Sequence, residues 1–186
     1  KKWGEAEAIL AGDALLPLGI EWIAKASNSA EMVTIITKAI GPNGMVGGQY
    51  LDIDSTNNAS VANDSKYIDK MEWLKTGCLI LASVQMGTVR ANATDIEKVK
   101  LSDFAKVFGR AYQIYDDLVD VVETSQEAGK ATHKDKEEGK NNTLTLLGID
   151  QSRQELKALI KQAKDDLNGL DSDILGGFLD LYKKVL

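Results

Sequence analysis

A chain of 186 residues is long enough for one sizeable hydrophobic core, so a single domain over 1–186 is expected. With 44% hydrophobic and 27% charged residues and sparse Gly and Pro, the composition excludes a disordered or fibrous chain. The net charge of −6 opposes general affinity for nucleic acid or an anionic membrane, so a phosphate-bearing ligand would need local lysines or a metal.

The opening Lys1-Lys2-Trp3-Gly4-Glu5-Ala6-Glu7 lacks the apolar run of a signal peptide, and no stretch reaches membrane-spanning length. Cys78 is the single cysteine and has no internal disulfide partner, so a cytoplasmic location is expected. Because the chain starts at Lys1 without a Met, it is expected to be part of a longer or processed protein.

Apolar residues recur at helical spacing almost everywhere, as in Ile9, Leu10, Ala14, Leu15, Leu18 and Trp22, which predicts an all-α protein. The first helix is expected over Gly4 to Ala26 with Pro17 as a kink or boundary, and the second from a Ser27 or Asn28 cap to Ile40. Gly41-Pro42-Asn43-Gly44 predicts a turn and Met45 starts the next helix. Gly47 and Gly48 cost that helix about 1 kcal/mol each relative to Ala, so a closely approaching helix or a ligand should compensate. A polar loop is expected from Asp54 to Asn63, then a long helix from Lys66 to Arg90 with Met71, Leu74, Cys78, Leu81 and Val84 on its apolar stripe. Asn92-Ala93-Thr94-Asp95 breaks it, and the next helix starts at Ile96 or Ser102 and ends at Glu123. Ser125 to Asn142 reads as an exposed loop too long to be a mere connector. Two amphipathic helices, Ser152 to Asn168 and Asp171 to Leu186, close the chain.

Asp116 and Asp120 lie one turn apart on one helix face, with Asp117 beside them and Gln113 three residues before Asp116. Like charges at that spacing repel, and no Lys or Arg follows within a turn to neutralise them. Mg²⁺ is commonly held by one or two carboxylates together with substrate phosphates, which suits this face. A plain solvated acidic face is the alternative. Asp165-Asp166 is an acidic pair without the third Asp, read as ordinary surface. The dense apolar flanks, Tyr112, Ile114, Tyr115, Leu118, Val119, Val121 and Val122, instead suggest burial around Asp116 to Asp120, and buried acids need a partner.

Downstream, Gly129-Lys130 and Gly139-Lys140 place glycines so that lysines can approach an anion, within a segment that could equally be a solvated basic loop. Lys75-Thr76-Gly77 sits mid-helix between apolar stretches, and Lys75 can either snorkel to solvent or point into a polar cavity. Acids, a metal and lysines together describe a diphosphate site.

Taken in order, Gly4-Glu5-Ala6 with Ile9 to Leu16, Gly44-Met45-Val46-Gly47-Gly48-Gln49, Lys75-Thr76-Gly77, Gln113 with Asp116-Asp117-Leu118-Val119-Asp120, and Gly139-Lys140 resemble the motifs of bacterial trans-prenyl diphosphate synthases. The Gly-Gly-Gln form is most similar to short-chain farnesyl diphosphate synthases. That resemblance implies an isoprenoid-synthase helical bundle around a central cavity, and a homodimer. It implies that Asp116, Asp117 and Asp120 form the second aspartate-rich motif and bind Mg²⁺. Lys75, Thr76, Gln113, Lys130 and Lys140 would contact the allylic diphosphate or metal cluster, Gln49 and Asp52 would line the cavity wall, and Asp13 would be structural.

The implied reaction joins an allylic diphosphate to isopentenyl diphosphate, giving farnesyl diphosphate. Departures from the pattern are the absence of the first aspartate-rich motif with its arginines, expected before Lys1, and the reading Gly139-Lys140-Asn141-Asn142-Thr143. These 186 residues are therefore not expected to be fully active alone. A longer-chain polyprenyl diphosphate synthase, a noncatalytic subunit or inactive fragment, and a terpene cyclase are the other readings, the last lacking its usual Asn, Ser or Thr, and Glu motif here.

Overall fold

The computed structural model describes residues 2–58, 60–61, 63–128 and 142–186, and the side chains among these except 122–128. Every regular element among the described residues is a helix, as the periodicity predicts. The chain runs α1 (Glu5–Ala24), α2 (Ser29–Ile40), α3 (Met45–Asn57), α4 (Ser65–Glu72), a π turn (Trp73–Gly77), α5 (Cys78–Arg90), α6 (Asp95–Ala128), α7 (Thr143–Leu147), α8 (Ile149–Asp166), α9 (Asp173–Phe178) and a 3-10 turn (Leu179–Lys184).

Several boundaries differ from expectation for identifiable reasons. Pro17 lies inside α1 and is not a boundary. The polar loop does not begin at Asp54, because α3 continues to Asn57. There the Ser55, Thr56 and Asn57 side chains donate to the carbonyls of Asp52, Asp52 and Ile53 at 2.8, 2.9 and 2.9 Å, so polar groups that usually compete with a helix are satisfied by its own backbone. Tyr67 Oη holds that last turn against α4, donating to Leu51 O (3.0 Å) and Asp54 Oδ2 (2.9 Å).

Asp64 caps α4, its Oδ1 accepting from the amides of Lys66 (2.9 Å) and Tyr67 (3.3 Å). The expected uninterrupted helix to Arg90 is corrected by the π turn. Here Gly77 has no room for a side chain, since a Cβ would stand 2.3 Å from Cε3 of Trp73. Helix α6 begins at Asp95 because Thr94 and Glu97 cap each other: Glu97 Oε2 accepts from Thr94 N (2.7 Å) and Oγ1 (2.8 Å), while Glu97 N donates to Thr94 Oγ1 (3.3 Å). It runs past the expected end at Glu123, and past Ser125, to Ala128, and the first glycine in the sequence thereafter is Gly129.

Helix α7 is unanticipated and is capped by Asn142, whose Oδ1 accepts from Thr145 N (2.9 Å) while Asn142 N donates to Thr145 Oγ1 (3.1 Å). Helix α8 starts at Ile149 rather than Ser152, and the final expected helix splits into α9 and the 3-10 turn.

The core is built on α6. Phe104, Val107, Ala111, Ile114 and Leu118 recur at three- and four-residue intervals and bury a stripe against Leu156, Ala163 and Leu167 from the α8 side and Leu179 and Tyr182 from the end of the chain. Tyr182, fully buried, donates its hydroxyl to Phe108 O at 3.2 Å. The π turn and α5 pack on another flank of α6, and Gly109 meets Gly77 of the turn. Helix α1 packs only on α2 to any extent and leaves Ile9, Leu10, Leu15, Leu16 and Trp22 exposed. Among the described residues, no helix is long and apolar enough to cross a membrane.

Candidate active site

The acidic turn of α6 divides between two environments. At about 100° per residue, Asp116 and Asp120 stay within one sector, opposite Ile114 and Leu118, and both are exposed. Asp117 follows Ile114 by three residues, so it rotates onto the edge of the core stripe and is buried. The apolar flanks therefore bury one acid of the three. Asp166, in the pair read as ordinary surface, is half-buried with Asp165 exposed, and burial raises its carboxyl above the usual range.

Asp117 is held from one side only. Its Oδ1 accepts from Gln113 Nε2 at 3.2 Å, while Oδ2 is buried without a partner among the described residues. Burial, then the nearby Glu72 carboxylate, pushes the Asp117 carboxyl up to about 7, against the hydrogen bond from Gln113 that favours its charged form. Glu72 is also buried; its two oxygens accept from Thr143 N and Thr143 Oγ1, each at 2.8 Å. Burial raises its carboxyl too, and these two bonds oppose the rise.

From the π turn, Thr76 faces α6 and Lys75 reaches α3. Thr76 Oγ1 donates to Gln113 Oε1 at 3.0 Å, tying together motifs 37 residues apart. Such turns insert a residue into a helix and concentrate at functional sites. Lys75 Nζ reaches Asp52 Oδ2 on α3 at 2.6 Å, with both side chains about two-fifths exposed. Gly48 makes this approach possible: a Cβ there would lie 2.2 Å from Lys75 N and 2.6 Å from Lys75 Cα. The compensation expected for Gly48 is thus a neighbouring helical segment, whereas Gly47 lies against the Pro42 carbonyl of the preceding turn, where a Cβ would stand 2.0 Å from Pro42 O.

An ion pair this exposed contributes about 0–1 kcal/mol, so Lys75 can exchange Asp52 for an incoming anion at small cost. Asp52→Asn should accordingly change the urea unfolding free energy by less than about 1 kcal/mol. A larger loss would mean the pair is structural.

Below Lys75 and Thr76 an apolar cavity of about 630 Å³ descends between α5 and α6, walled by Leu79, Ile80, Val84, Phe104, Phe108 and Phe178 among others. On the opposite side of the Thr76–Gln113 contact lies a smaller cavity of about 250 Å³, bordered by Asp69, Glu72, Arg110 and Gln113. Lys130 and Lys140 lie outside the described residues. Gln49 is exposed on α3, Asp52 forms the ion pair with Lys75, and Asp13 lies on exposed α1.

Among the described residues, no three His, Cys, Asp or Glu side chains converge tightly enough to enclose a metal by themselves. Asp116 and Asp120 on one face fit the other mode, in which a hard cation takes one or two carboxylates and completes its shell with water and phosphate oxygens.

The model of the polyprenyl synthetase family matches residues 1–172. The chain belongs to that family. Among relatives of this polyprenyl synthetase chain, a chloroplastic geranylgeranyl pyrophosphate synthase from Capsicum annuum is 35% identical over 181 residues, covering 92% of this chain and 48% of that one. A dimethylallyltranstransferase from Fischerella ambigua is 36% identical over 173 residues, covering 90% and 49%. The chain thus spans about half the length of these relatives. In structure it resembles an FPP/GFPP synthase from Zymomonas mobilis (TM-score 0.80, 28% identity, 100% of this chain and 63% of that one). It also resembles a geranyltransferase from Helicobacter pylori complexed with magnesium and isoprenyl diphosphate (TM-score 0.78, 29% identity, 98% and 61%).

Glu72, Asn142 and Thr143 are the site-adjacent residues the sequence did not reveal. Glu72 reads there as one acid of a helix, and its partner is 71 residues away. The available signal is an acid one turn before Lys75, flanked by Met71, Trp73 and Leu74.

Proposed function

We propose that this polyprenyl synthetase chain carries the diphosphate-binding half of a trans-prenyltransferase, acting on an allylic diphosphate and isopentenyl diphosphate. The observation that carries the reading is the 3.0 Å Thr76–Gln113 bond, which sets the lysine-bearing turn beside the face that displays Asp116 and Asp120. An acidic face for a cation, a lysine with an exchangeable partner, and an apolar cavity below them match the charged head and hydrocarbon tail of one substrate.

In the reaction the allylic C–O bond breaks and diphosphate leaves with the electron pair. The terminal carbon of the isopentenyl double bond attacks the allylic cation, and loss of a proton from the adjacent carbon restores a double bond. Asp116 and Asp120, with Asp117 as implied by the family motif, would hold Mg²⁺, which when bound offsets charge on the leaving diphosphate. Lys75 supplies a positive charge at the same place, and electrostatic stabilisation of this kind is usually the largest contribution to catalysis. Gln113 and Thr76 orient the group. By resemblance Lys130 and Lys140 add to the diphosphate shell. Walls of Leu, Ile and Phe keep water from the cation.

Farnesyl diphosphate is the product implied by the Gly-Gly-Gln form of the α3 motif. The geranylgeranyl synthase from Capsicum annuum favours a second reading, a product longer by one isoprene unit. A homodimer completes the proposal, and the uncovered apolar side chains of α1 support an interaction surface there.

Calorimetric titration of geranyl diphosphate into the chain, with and without Mg²⁺, tests the reading. Binding should require Mg²⁺, and Asp116→Ala should weaken it by about tenfold or more. Equal binding by both proteins would rule the site out.

A further inference from the structure

Two sets of polar contacts lie behind the acidic face. Thr76 Oγ1 donates to Gln113 Oε1 (3.0 Å), and Gln113 Nε2 donates to Asp117 Oδ1 (3.2 Å). Leu144 of α7 packs in the core cluster with Ile114 and Leu118 of α6. The preceding residue, Thr143, donates both its amide and its hydroxyl to Glu72 at 2.8 Å. Glu72 stands one helical turn before Thr76, so both sets of contacts meet on the α4–π segment. Three pieces of chain that are remote in sequence are thereby joined: the α4–π segment, α6 and the start of α7.

These contacts fix features that backbone packing leaves open. Gln113 has its oxygen engaged by Thr76 and its amide nitrogen by Asp117, so a flip of the amide would break both bonds. Helix α7 is only five residues long, too short to be stable without tertiary contacts. Its apolar anchor is Leu144, and its polar anchor is the doubly bonded Glu72. Placing a carboxylate in that buried position is costly unless its oxygens are satisfied, and Thr143 satisfies both. Networks of this kind, where fully bonded, hold side chains to a single arrangement.

We propose that Glu72 and Thr143 are positioning residues for the diphosphate site: by locking α7 to the turn that precedes Thr76, they hold Gln113 and the Asp116–Asp120 face in register with Lys75. They touch neither substrate nor metal. The proposal rests on the reading of the site as a Mg²⁺–diphosphate site and names residues that reading does not include.

The test compares Thr143→Val, Thr143→Ser and Glu72→Gln with the unsubstituted chain, each confirmed folded by circular dichroism at the assay temperature. Mg²⁺-dependent affinity for geranyl diphosphate should fall by about tenfold in Thr143→Val and in Glu72→Gln, and return to within about twofold in Thr143→Ser, as expected of an outer hydrogen bond that orients site groups. The double variant Thr143→Val/Glu72→Gln should lose less than the sum of the two single ones, because both weaken the same Thr143–Glu72 link, of which valine removes the hydroxyl bond and keeps the amide bond. Hydrogen exchange gives a second readout: amides of residues 75–77 should exchange faster in Thr143→Val and not in Thr143→Ser. Wild-type affinity in the Val and Gln variants, or failure of Ser to restore it, overturns the positioning role and leaves the functional reading standing. Absence of Mg²⁺-dependent binding in the unsubstituted chain overturns both.

Discussion

Gly48→Ala should lower the stability of this chain by about 3 kcal/mol or more, the upper part of the range for overpacking a closely fitted site. Helix propensity alone favours the change by about 1 kcal/mol, because alanine is the better helix former. Sterics decide the sign. The added Cβ would meet Lys75 N at 2.2 Å, Lys75 Cα at 2.6 Å and Leu74 C at 2.7 Å. All three are backbone atoms of the π turn, so no side-chain rotation relieves the clash. Relief requires α3 and the turn to separate, and the Asp52–Lys75 contact would separate with them. Urea unfolding measures the loss, and Gly87→Ala serves as the comparison, since a Cβ there meets nothing within 4 Å. That control should be neutral or stabilising by up to about 1 kcal/mol. A Gly48→Ala protein as stable as the control would mean that α3 does not approach the turn so closely.

The second large effect is a pH-dependent gain from Asp117→Asn in the metal-free chain. The Asp117 carboxyl moves from an ordinary value of 3.8 to about 7 in the folded state, chiefly by burial. A folded pKa above the unfolded one means that the folded state keeps its proton while the unfolded state has lost it. Stability is therefore fully present below about pH 4, declines as pH rises through the interval, and is lost above about pH 7. The gap between the two values corresponds to about 4 kcal/mol at most. Asparagine keeps the shape, can still accept from Gln113, and carries no charge to bury. At pH 4 the variant and the unsubstituted chain should unfold at similar temperatures with chelator present, and at pH 8 the variant should unfold several degrees higher. An equal difference at both pH values would show that Asp117 does not titrate with folding. The rise of the Glu72 carboxyl acts in the same direction.

Local patterns make much of the molecule legible. The α6 stripe from Phe104 to Leu118 follows the three- and four-residue spacing, and the turn at Gly41 to Gly44 lies where its composition puts it. Elsewhere a non-local contact overrides a local preference. Asp54 to Asn57 looks like loop by composition, yet it is helical because Tyr67, from the next helix, holds its final turn. Thr94 and Glu97 form a capping box that is written in the sequence, and it starts α6 one residue before the earlier of the two expected positions, Ile96 and Ser102. The π turn has no comparable signature. It depends on Trp73 lying over Gly77 and on Gly77 meeting Gly109, a residue 32 positions away.

From the sequence alone came the helical architecture, the acidic turn of α6, Lys75-Thr76, and the need for something to lie against Gly47 and Gly48. All of these follow from spacing within a few residues, where helical geometry fixes relative direction. Only the tertiary structure decided that Asp117 turns inward while Asp116 and Asp120 face out, that Asp52 holds Lys75, and that Glu72 grips Thr143. The physical reason is that burial and pairing depend on which surfaces meet, and those surfaces belong to segments 23 to 71 residues apart whose approach no local period encodes.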